Sequence, residues 1–277
     1  MSEVWRAALP QRAPRDRTHP VVDVLGVSVS AIELPDLLRD IDAALEERHR
    51  LTVTFANPNY LVAAAKNPVL RGMINAFDHV LTDGWGVMLA ARILGKRIPA
   101  RLANDDLVVP FFDLLARRRT RVFLLGSAPG VAERAGARLT ENFPGVEIAG
   151  TMHGYLSVQE GTPGRYSAAA FDRMVQAVND ADPDLLIIGI PTPSQQRFVV
   201  ENLDRLTATV IMTGGAWLDH IAERMQYYPP PVVKLRLCWA YRWFREPRRL
   251  AHRYTVELAD FGRRVLAQRA RPARRRP

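Results

Sequence analysis

The sequence predicts an α/β fold, a mostly parallel sheet with helices on both faces, followed by a basic helical appendage. Three observations predict it. Short apolar runs such as Val122–Gly126, Leu185–Gly189 and Thr209–Thr213 recur along the chain. Segments with apolar residues at helical spacing separate them. Glycine, proline and asparagine gather at the seams. Such alternation is the pattern of βα units, in which a sheet is buried between two helical layers, a Rossmann-like arrangement.

Taken in order, residues 1–20 read as a flexible tail with scattered proline and arginine. Val21–Ser30 holds short β-type runs around Gly26, and Ile32–Arg48 is a helix with Leu34, Leu37, Leu38, Ile41 and Leu45 on one face. Leu51–Ala56 is a strand, and Pro58–Lys66 and Pro68–Phe77 are helices opened by proline, which suits a first helical turn. A strand at Val80–Thr82, a helix at Gly84–Leu94 and a helix at Asp105–Arg118 follow. Val122–Gly126 and Val146–Gly150 are strands flanking a helix at Pro129–Asn142. The pattern closes with helix Ala168–Ala181, strand Leu185–Gly189, helix Ser194–Leu203, strand Thr209–Thr213 and helix Ala216–Met225.

Tyr227-Tyr228-Pro229-Pro230-Pro231 then breaks it, because a triple proline cannot continue a helix. The expected division is a tail (1–20), an α/β domain (21–228), a basic appendage (229–268) and a disordered end (269–277). The appendage helix is expected to start at Pro247, with Leu250, Tyr254, Leu258, Phe261 and Val265 on one face and Arg249, Arg253, Arg263 and Arg264 on another. Since the sheet pattern ends at Thr213, a chain cut after Pro231 is expected to keep a folded body.

Composition bounds the function. The chain has 277 residues, 48% hydrophobic and 24% charged, which excludes a disordered, collagenous or coiled-coil protein. Its one cysteine, Cys238, allows no internal disulfide and no Cys-rich zinc site, and a reducing compartment fits best. No apolar run approaches the ~18 residues of a membrane-spanning helix. Residues 1–20 carry four arginines and no apolar h-region, so a secretory signal is not expected. Charge is uneven: Lys234–Pro277 carries 14 of the 38 basic residues and three of the 29 acids, a net +11, which leaves the body at −2. A concentrated basic segment points to a polyanion: nucleic acid, anionic lipid or a phosphorylated ligand.

Parallel α/β sheets bind ligands beyond the carboxyl ends of their strands. The residues to read there are Asn57, Asp83-Gly84, Gly126–Gly130, Thr151–Tyr155, Gly189–Gln196 and Thr213–Asp219. Gly126–Gly130 could hold a phosphate on backbone N–H groups, or be only a tight strand–helix turn. It is neither G-x-G-x-x-G nor a Walker loop. Asp83 follows Val80-Leu81 and precedes Gly84-Trp85-Gly86, so its carboxylate is placed either to act as a general base or to cap the next helix. The D-x-D spellings at Asp40, Asp180 and Asp182 fall within a helix or at the opposite sheet edge and read as solvated or capping residues. His153 is the histidine this order places near the ligand edge, and alone it is weak evidence for a metal.

Read together, these residues resemble the WecG/TagA/CpsF family of bacterial glycosyltransferases, over roughly Val24 to Tyr254. Thr54-Phe55-Ala56-Asn57-Pro58 is similar to the family's T-x-N-P, and Asp83-Gly84-Trp85-Gly86-Val87 to its D-G-x-G-V. Arg101 with Asp106-Leu107 resembles R-x-x-G-x-D-L. Phe123–Gly126, Phe143-Pro144-Gly145 and His153-Gly154-Tyr155 are similar to central segments. Pro193-Ser194-Gln195-Gln196 resembles P-K-Q-E, and Glu246–Leu250 with Arg253-Tyr254 resembles the E-P-x-R-L…R-Y close. Asn104 and Pro191 stand where the family has glycine, Ser194 and Gln196 where it has lysine and glutamate, and Cys238 where it has the glutamate of L-E-W. The Ser194 and Gln196 changes read as an altered charge at the pocket rim.

The resemblance implies transfer of a sugar from a nucleotide diphosphate sugar to a lipid-linked saccharide, by a peripheral protein on the cytoplasmic membrane face. It implies Asp83 as base, with Thr54, Asn57, Arg101 and Gln195 lining the reaction centre. Gly126, Gly154, Tyr155 and Asp219 would meet the donor, and Arg242, Arg249 and Arg253 the lipid diphosphate. No metal or other cofactor is expected, because positive groups can stabilise the leaving diphosphate. A homo-oligomer is compatible with this reading. The basic segment fits an anionic leaflet: arginine binds phosphate bidentately, and Trp239, Tyr241, Trp243 and Phe244 stand among the arginines. The competing reading is a nucleic-acid-binding protein that uses its basic tail. No recognition motif supports it, and no nucleic acid is expected.

Overall fold

The computed structural model describes residues 19–156, 166–224, 232, 240–241 and 257–270. The first two strands, β1 (Val21–Val24) and β2 (Val27–Ser30), form a separate antiparallel hairpin. Its two-residue turn puts both Leu25 (φ 56°) and Gly26 (φ 86°) in the left-handed region, which suits the twist of a tight hairpin. Helix α1 (Leu34–Glu47) leads into β3 (Leu51–Ala56). Then come α2 (Pro58–Lys66), α3 (Pro68–Asn75), β4 (His79–Thr82), α4 (Trp85–Ile93) and α5 (Asn104–Arg117). The second half runs β5 (Arg121–Gly126), α6 (Val131–Asn142), β6 (Glu147–Met152), α7 (Ala168–Ala181), β7 (Leu185–Gly189), α8 (Ser194–Asn202), β8 (Val210–Thr213), α9 (Trp217–Glu223) and α10 (Leu258–Ala270).

The main sheet has six strands in the order β4-β3-β8-β7-β5-β6, and every pairing is parallel. The fold is the expected α/β sheet between helices. Steps toward β4 (β3 to β4, β6 to β7, β7 to β8) carry α2, α3, α7 and α8 to one face. Steps toward β6 carry α5 and α6 to the other. That segregation is what a constant crossover hand produces. The strands alternate accordingly: Leu186 and Ile188 face the first core, Leu185 and Ile187 the second. Both sides are covered, so β7 is buried along its whole length.

The β-type runs expected around Gly26 are present, and one expectation of the sequence reading, for the C-terminal segment, moves. Residues 21–30 sit beside the main sheet as a hairpin and add no strand to it. The C-terminal segment is, over 258–270, part of the body's packing. Phe261 (4% exposed) and Val265 (1%) enter the first core, and α10 lies against α2 and α4. Lys66 Nζ pairs with Asp260 Oδ2 at 2.8 Å, and Gln268 Nε2 donates to Asp23 Oδ1 at 2.7 Å. A body cut after Pro231 would therefore lose part of its core, contrary to the sequence expectation.

Candidate active site

Because all six strands run the same way, their carboxyl ends share one edge, and a cleft of about 860 Å³ opens there. Two sequence motifs interlock at one end of it. Asn57 ends β3 and caps α2, its Oδ1 accepting the Tyr60 N–H at 3.0 Å. Its amide NH2 is then the end it can offer a ligand. On the next strand the Asp83 N–H donates to the Ala56 carbonyl at 2.9 Å, extending the ladder past β4. The cap of α4 is Gly84 (φ 105°), so Asp83 does not occupy the capping position. Gly86 matters for packing, since a Cβ there would lie 2.8 Å from Pro58 Cγ. The glycines of D-G-W-G thus seat the start of α4 on the proline of N-P, and Asp83 and Asn57 line the cleft from adjacent strands.

Arg101 reaches the same end because Leu102 N–H donates to the Thr82 carbonyl at 3.1 Å, laying the loop beside β4. Its guanidinium is 2.5 Å from Asp106 Oδ1, and Asp106 Oδ2 accepts the Ala103 N–H at 3.1 Å. Burial pushes the Asp106 carboxyl up, against the pull of Arg101 and the Ala103 N–H; Asp105 and Asp83 push it further up. The carboxylates of D-G-W-G and of the α5 start therefore share one electrostatic field. Asp105 itself lines the cleft, with His220 Nδ1 3.5 Å from its Oδ1.

The middle of the cleft is cross-tied. Gln195 Nε2 donates to Thr192 Oγ1 at 3.0 Å, and its Oε1 accepts the Gly215 N–H at 3.1 Å. Asn104 Nδ2 donates to the Gly214 carbonyl at 2.8 Å, so one loop after β8 is held from both sides. Thr54 lies a layer below: it is fully buried and absent from the lining, its Oγ1 2.8 Å from Thr213 Oγ1 and accepting from Gln196 Nε2 at 3.1 Å. Ser194 and Gln196 are buried as well. The substitutions there alter the floor of the site, and the expectation of a changed rim charge is corrected.

At the far end, Ser127, Gly154, Tyr155 and Asp219 line the cleft. Ser127 Oγ donates to Asp219 Oδ2 at 2.8 Å, and Tyr166 hydroxyl donates to the Gly154 carbonyl at 2.7 Å. Gly126 is not on the lining. A Cβ on it would come within 2.3 Å of the Gly189 backbone, and Ser127 N–H is spent on the Gly189 carbonyl at 3.0 Å. Gly126 serves the close approach of two strand ends. Arg242, Arg249 and Arg253 fall outside the described residues.

The sequence reading missed Tyr60, Asp105 and His220, all on the lining, and had Ser127 only as part of the Gly126–Gly130 turn. His153 is therefore not the sole histidine at this edge. Helical periodicity placed Tyr60 and Asp105 on elements without showing that their first turns face the cleft. Burial pushes the Tyr60 hydroxyl well above its ordinary value, so it stays a neutral phenol. Among the described residues, the Tyr60 hydroxyl, Asn104 Oδ1 and Trp217 Nε1 are buried without a hydrogen-bond partner, and all three residues line the cleft. Such atoms are normally satisfied by water or ligand.

The sequence matches the glycosyl transferase WecG/TagA/CpsF family over residues 22–275. The chain belongs to this family. Curated relatives within reach include the N-acetylglucosaminyldiphosphoundecaprenol N-acetyl-beta-D-mannosaminyltransferase of Bacillus spizizenii, 26% identical over 205 residues, 74% of this chain and 75% of the relative. The enzyme of the same name from Staphylococcus aureus strain MW2 is 23% identical over 239 residues, 86% and 89% of the two chains. That from strain NCTC 8325 is 25% identical over 223 residues, 80% and 83%. Family membership makes this chain a glycosyltransferase, and its interlocked T-x-N-P and D-G-x-G-V segments form one end of the cleft.

Proposed function

We propose that this glycosyltransferase moves a sugar from a nucleoside diphosphate sugar to a saccharide carried on a lipid diphosphate, in the synthesis of a cell-surface polysaccharide. The observation that carries this is the meeting of Asp83, Asn57 and Arg101 at the cleft end, with Ser127, Tyr155 and Asp219 at the other. In this scheme the acceptor hydroxyl gives its proton to Asp83 and attacks the anomeric carbon. A C–O bond forms as the bond to the diphosphate breaks, a single displacement that inverts the anomeric centre. Arg101 meets the charge that develops on the departing nucleoside diphosphate, the C-terminal Arg242, Arg249 and Arg253 hold the lipid diphosphate of the acceptor, and no metal is required. The names of the relatives suggest N-acetylmannosamine as the sugar and an N-acetylglucosaminyl diphosphoundecaprenol as acceptor. The protein would work on the inner membrane face, held by its basic segment; no described helix is long and apolar enough to cross a membrane.

The test pairs UDP-, GDP- and dTDP-sugars with a lipid-diphosphate N-acetylglucosamine acceptor and follows the lipid by mass spectrometry. One added N-acetylhexosamine mass, with thermal stabilisation by one nucleotide class, is expected. No added sugar from any donor, with no donor shifting the thermal transition, would refute the proposal. The cleft itself speaks against the nucleic-acid reading: the acids Asp83, Asp105 and Asp219 line it against Arg101 and His220.

A further inference from the structure

We infer that Asn104 accepts, on its side-chain oxygen, a hydrogen bond from the transferred sugar of the donor, and so takes part in choosing that sugar. The inference rests on the function proposed above. Asn104 opens α5 and lines the cleft. Its Nδ2 donates to the Gly214 carbonyl at 2.8 Å. A carbonyl oxygen only accepts, so the amide cannot be turned over: the reversed form would set oxygen against oxygen. Oδ1 is therefore the end that can meet a ligand, and among the described residues it is buried with no hydrogen-bond partner. The anchor of the amide is itself fixed. The Gly214 carbonyl also accepts the Trp217 N–H at 3.1 Å, the Gly214 N–H donates to the Ile188 carbonyl at 2.7 Å, and the Gly215 N–H donates to Gln195 Oε1 at 3.1 Å.

The place of Asn104 points to the sugar. β8 lies between β3 and β7 in the sheet, so the loop that holds Asn104 is central in the cleft. Asn57 and Asp83 stand on the β3 and β4 side of it, and Ser127, after β5, on the other. With the base at one end and the nucleotide at the other, the transferred sugar lies between them. Neighbouring neutral acceptors are engaged already: Gln195 Oε1 holds Gly215, and Asn57 Oδ1 caps α2. A sugar that covered Asn104 Oδ1 without offering a donor would leave a buried acceptor unpaired, which weakens binding. The amide N–H of an acetamido sugar, or a sugar hydroxyl, supplies that donor. The family's R-x-x-G has glycine at this position, with no side-chain oxygen, so the acceptor is an addition to that pattern.

The test measures, by calorimetry without acceptor, the affinity of the full-length protein for UDP, UDP-N-acetylmannosamine and UDP-2-deoxyglucose, with the GDP and dTDP counterparts in parallel. The 2-deoxy sugar carries only hydrogen where the other carries its acetamido group. Asn104→Ala is expected to bind the N-acetylmannosamine nucleotide about three- to tenfold more weakly, the weight of a neutral hydrogen bond, and the nucleoside diphosphate as the wild type does. If the 2-deoxy compound is unaffected by the substitution, the acetamido N–H is the donor; if it loses as much, a hydroxyl is. Thermal melts check that the variant is folded, and Asn104→Gly, which brings in the family's residue, carries the test if the alanine variant is not. An equal loss for the nucleoside diphosphate would show that Asn104 only holds the Gly214 loop, and the inference falls. Unchanged binding of the sugar nucleotide overturns it too, while the transferase reading stands. If the wild type binds none of the sugar nucleotides, both fall.

Discussion

Asp83 and Thr54 show how differently two motif residues can contribute. Asp83 lines the cleft and does not cap α4, so removing its charge should spare the fold. Asp83→Asn is expected to keep its thermal transition and its nucleotide affinity while transfer drops about 10²–10⁴-fold, the usual weight of a general base. Retention of more than about a tenth of wild-type transfer would remove Asp83 from that role. Thr54 is buried beneath the site, where its hydroxyl joins Thr213 on β8 to Gln196 on α8. Thr54→Val leaves those partners unpaired and should cost about 1–3 kcal/mol in denaturant unfolding. Specific activity per folded molecule should suffer far less than in Asp83→Asn. A silent unfolding curve would show that the floor does not depend on this hydroxyl.

At the scale of elements, α10 and the His19–Asp40–His79 cluster hold parts of the chain to the body. Phe261 is buried in the first core, so Phe261→Ala should destabilise by roughly 3–5 kcal/mol, as large-to-small core changes do. A chain ending at Pro231 should melt at lower temperature and expose the faces of α2 and α4 that α10 covers. Since α2 is capped by Asn57 and α4 starts two residues after Asp83, its activity should fall with its stability. An unchanged melting temperature would show that α10 only rests on the surface. On α1, Asp40 Oδ2 lies 2.8 Å from His19 Nε2 and 2.9 Å from His79 Nε2. Burial pushes the Asp40 carboxyl up, but the hydrogen bonds and charges of His79 and His19 outweigh it and hold the carboxyl below its ordinary value. A carboxyl lowered in the folded state contributes stability at pH above its unfolded value and loses it as pH falls through the folded value. Acid should therefore weaken the wild type more steeply than Asp40→Asn, and parallel acid-unfolding curves for the two would contradict this.

On the scale of the whole molecule, a near-neutral body carries a segment of net +11 from Lys234 to Pro277. Each basic residue close to an anionic leaflet contributes about 1 kcal/mol, within a reach of about 8 Å at physiological salt. The full-length protein should float with phosphatidylglycerol vesicles, stay behind with phosphatidylcholine vesicles, and be released by high salt. Equal flotation with neutral vesicles would assign binding to the aromatic residues instead. If RNA competed it off the vesicles and was itself held in gel shifts, the basic segment would be a general polyanion binder.

The fold class, the order of strands and helices, and the edge at which the cleft opens followed from the sequence alone. Periodicity is a local property: the alternating βα pattern needs a buried sheet, and parallel strands must end on one side. Asn57, Asp83 and Gln195 were visible because each follows a strand or opens a helix at that edge, whereas Arg101, in the loop before α5, was legible only through the family resemblance. Only the tertiary structure decided what the chain brings together across long separations. It set Thr54 under the floor and gave Gly126 to strand packing. It paired His220 with Asp105, drew α10 into the core and set the β1–β2 hairpin apart. None of these is encoded in spacing. Each depends on which strands become neighbours, and in an order of β4-β3-β8-β7-β5-β6 the strands that meet in the middle of the site are far apart in the chain.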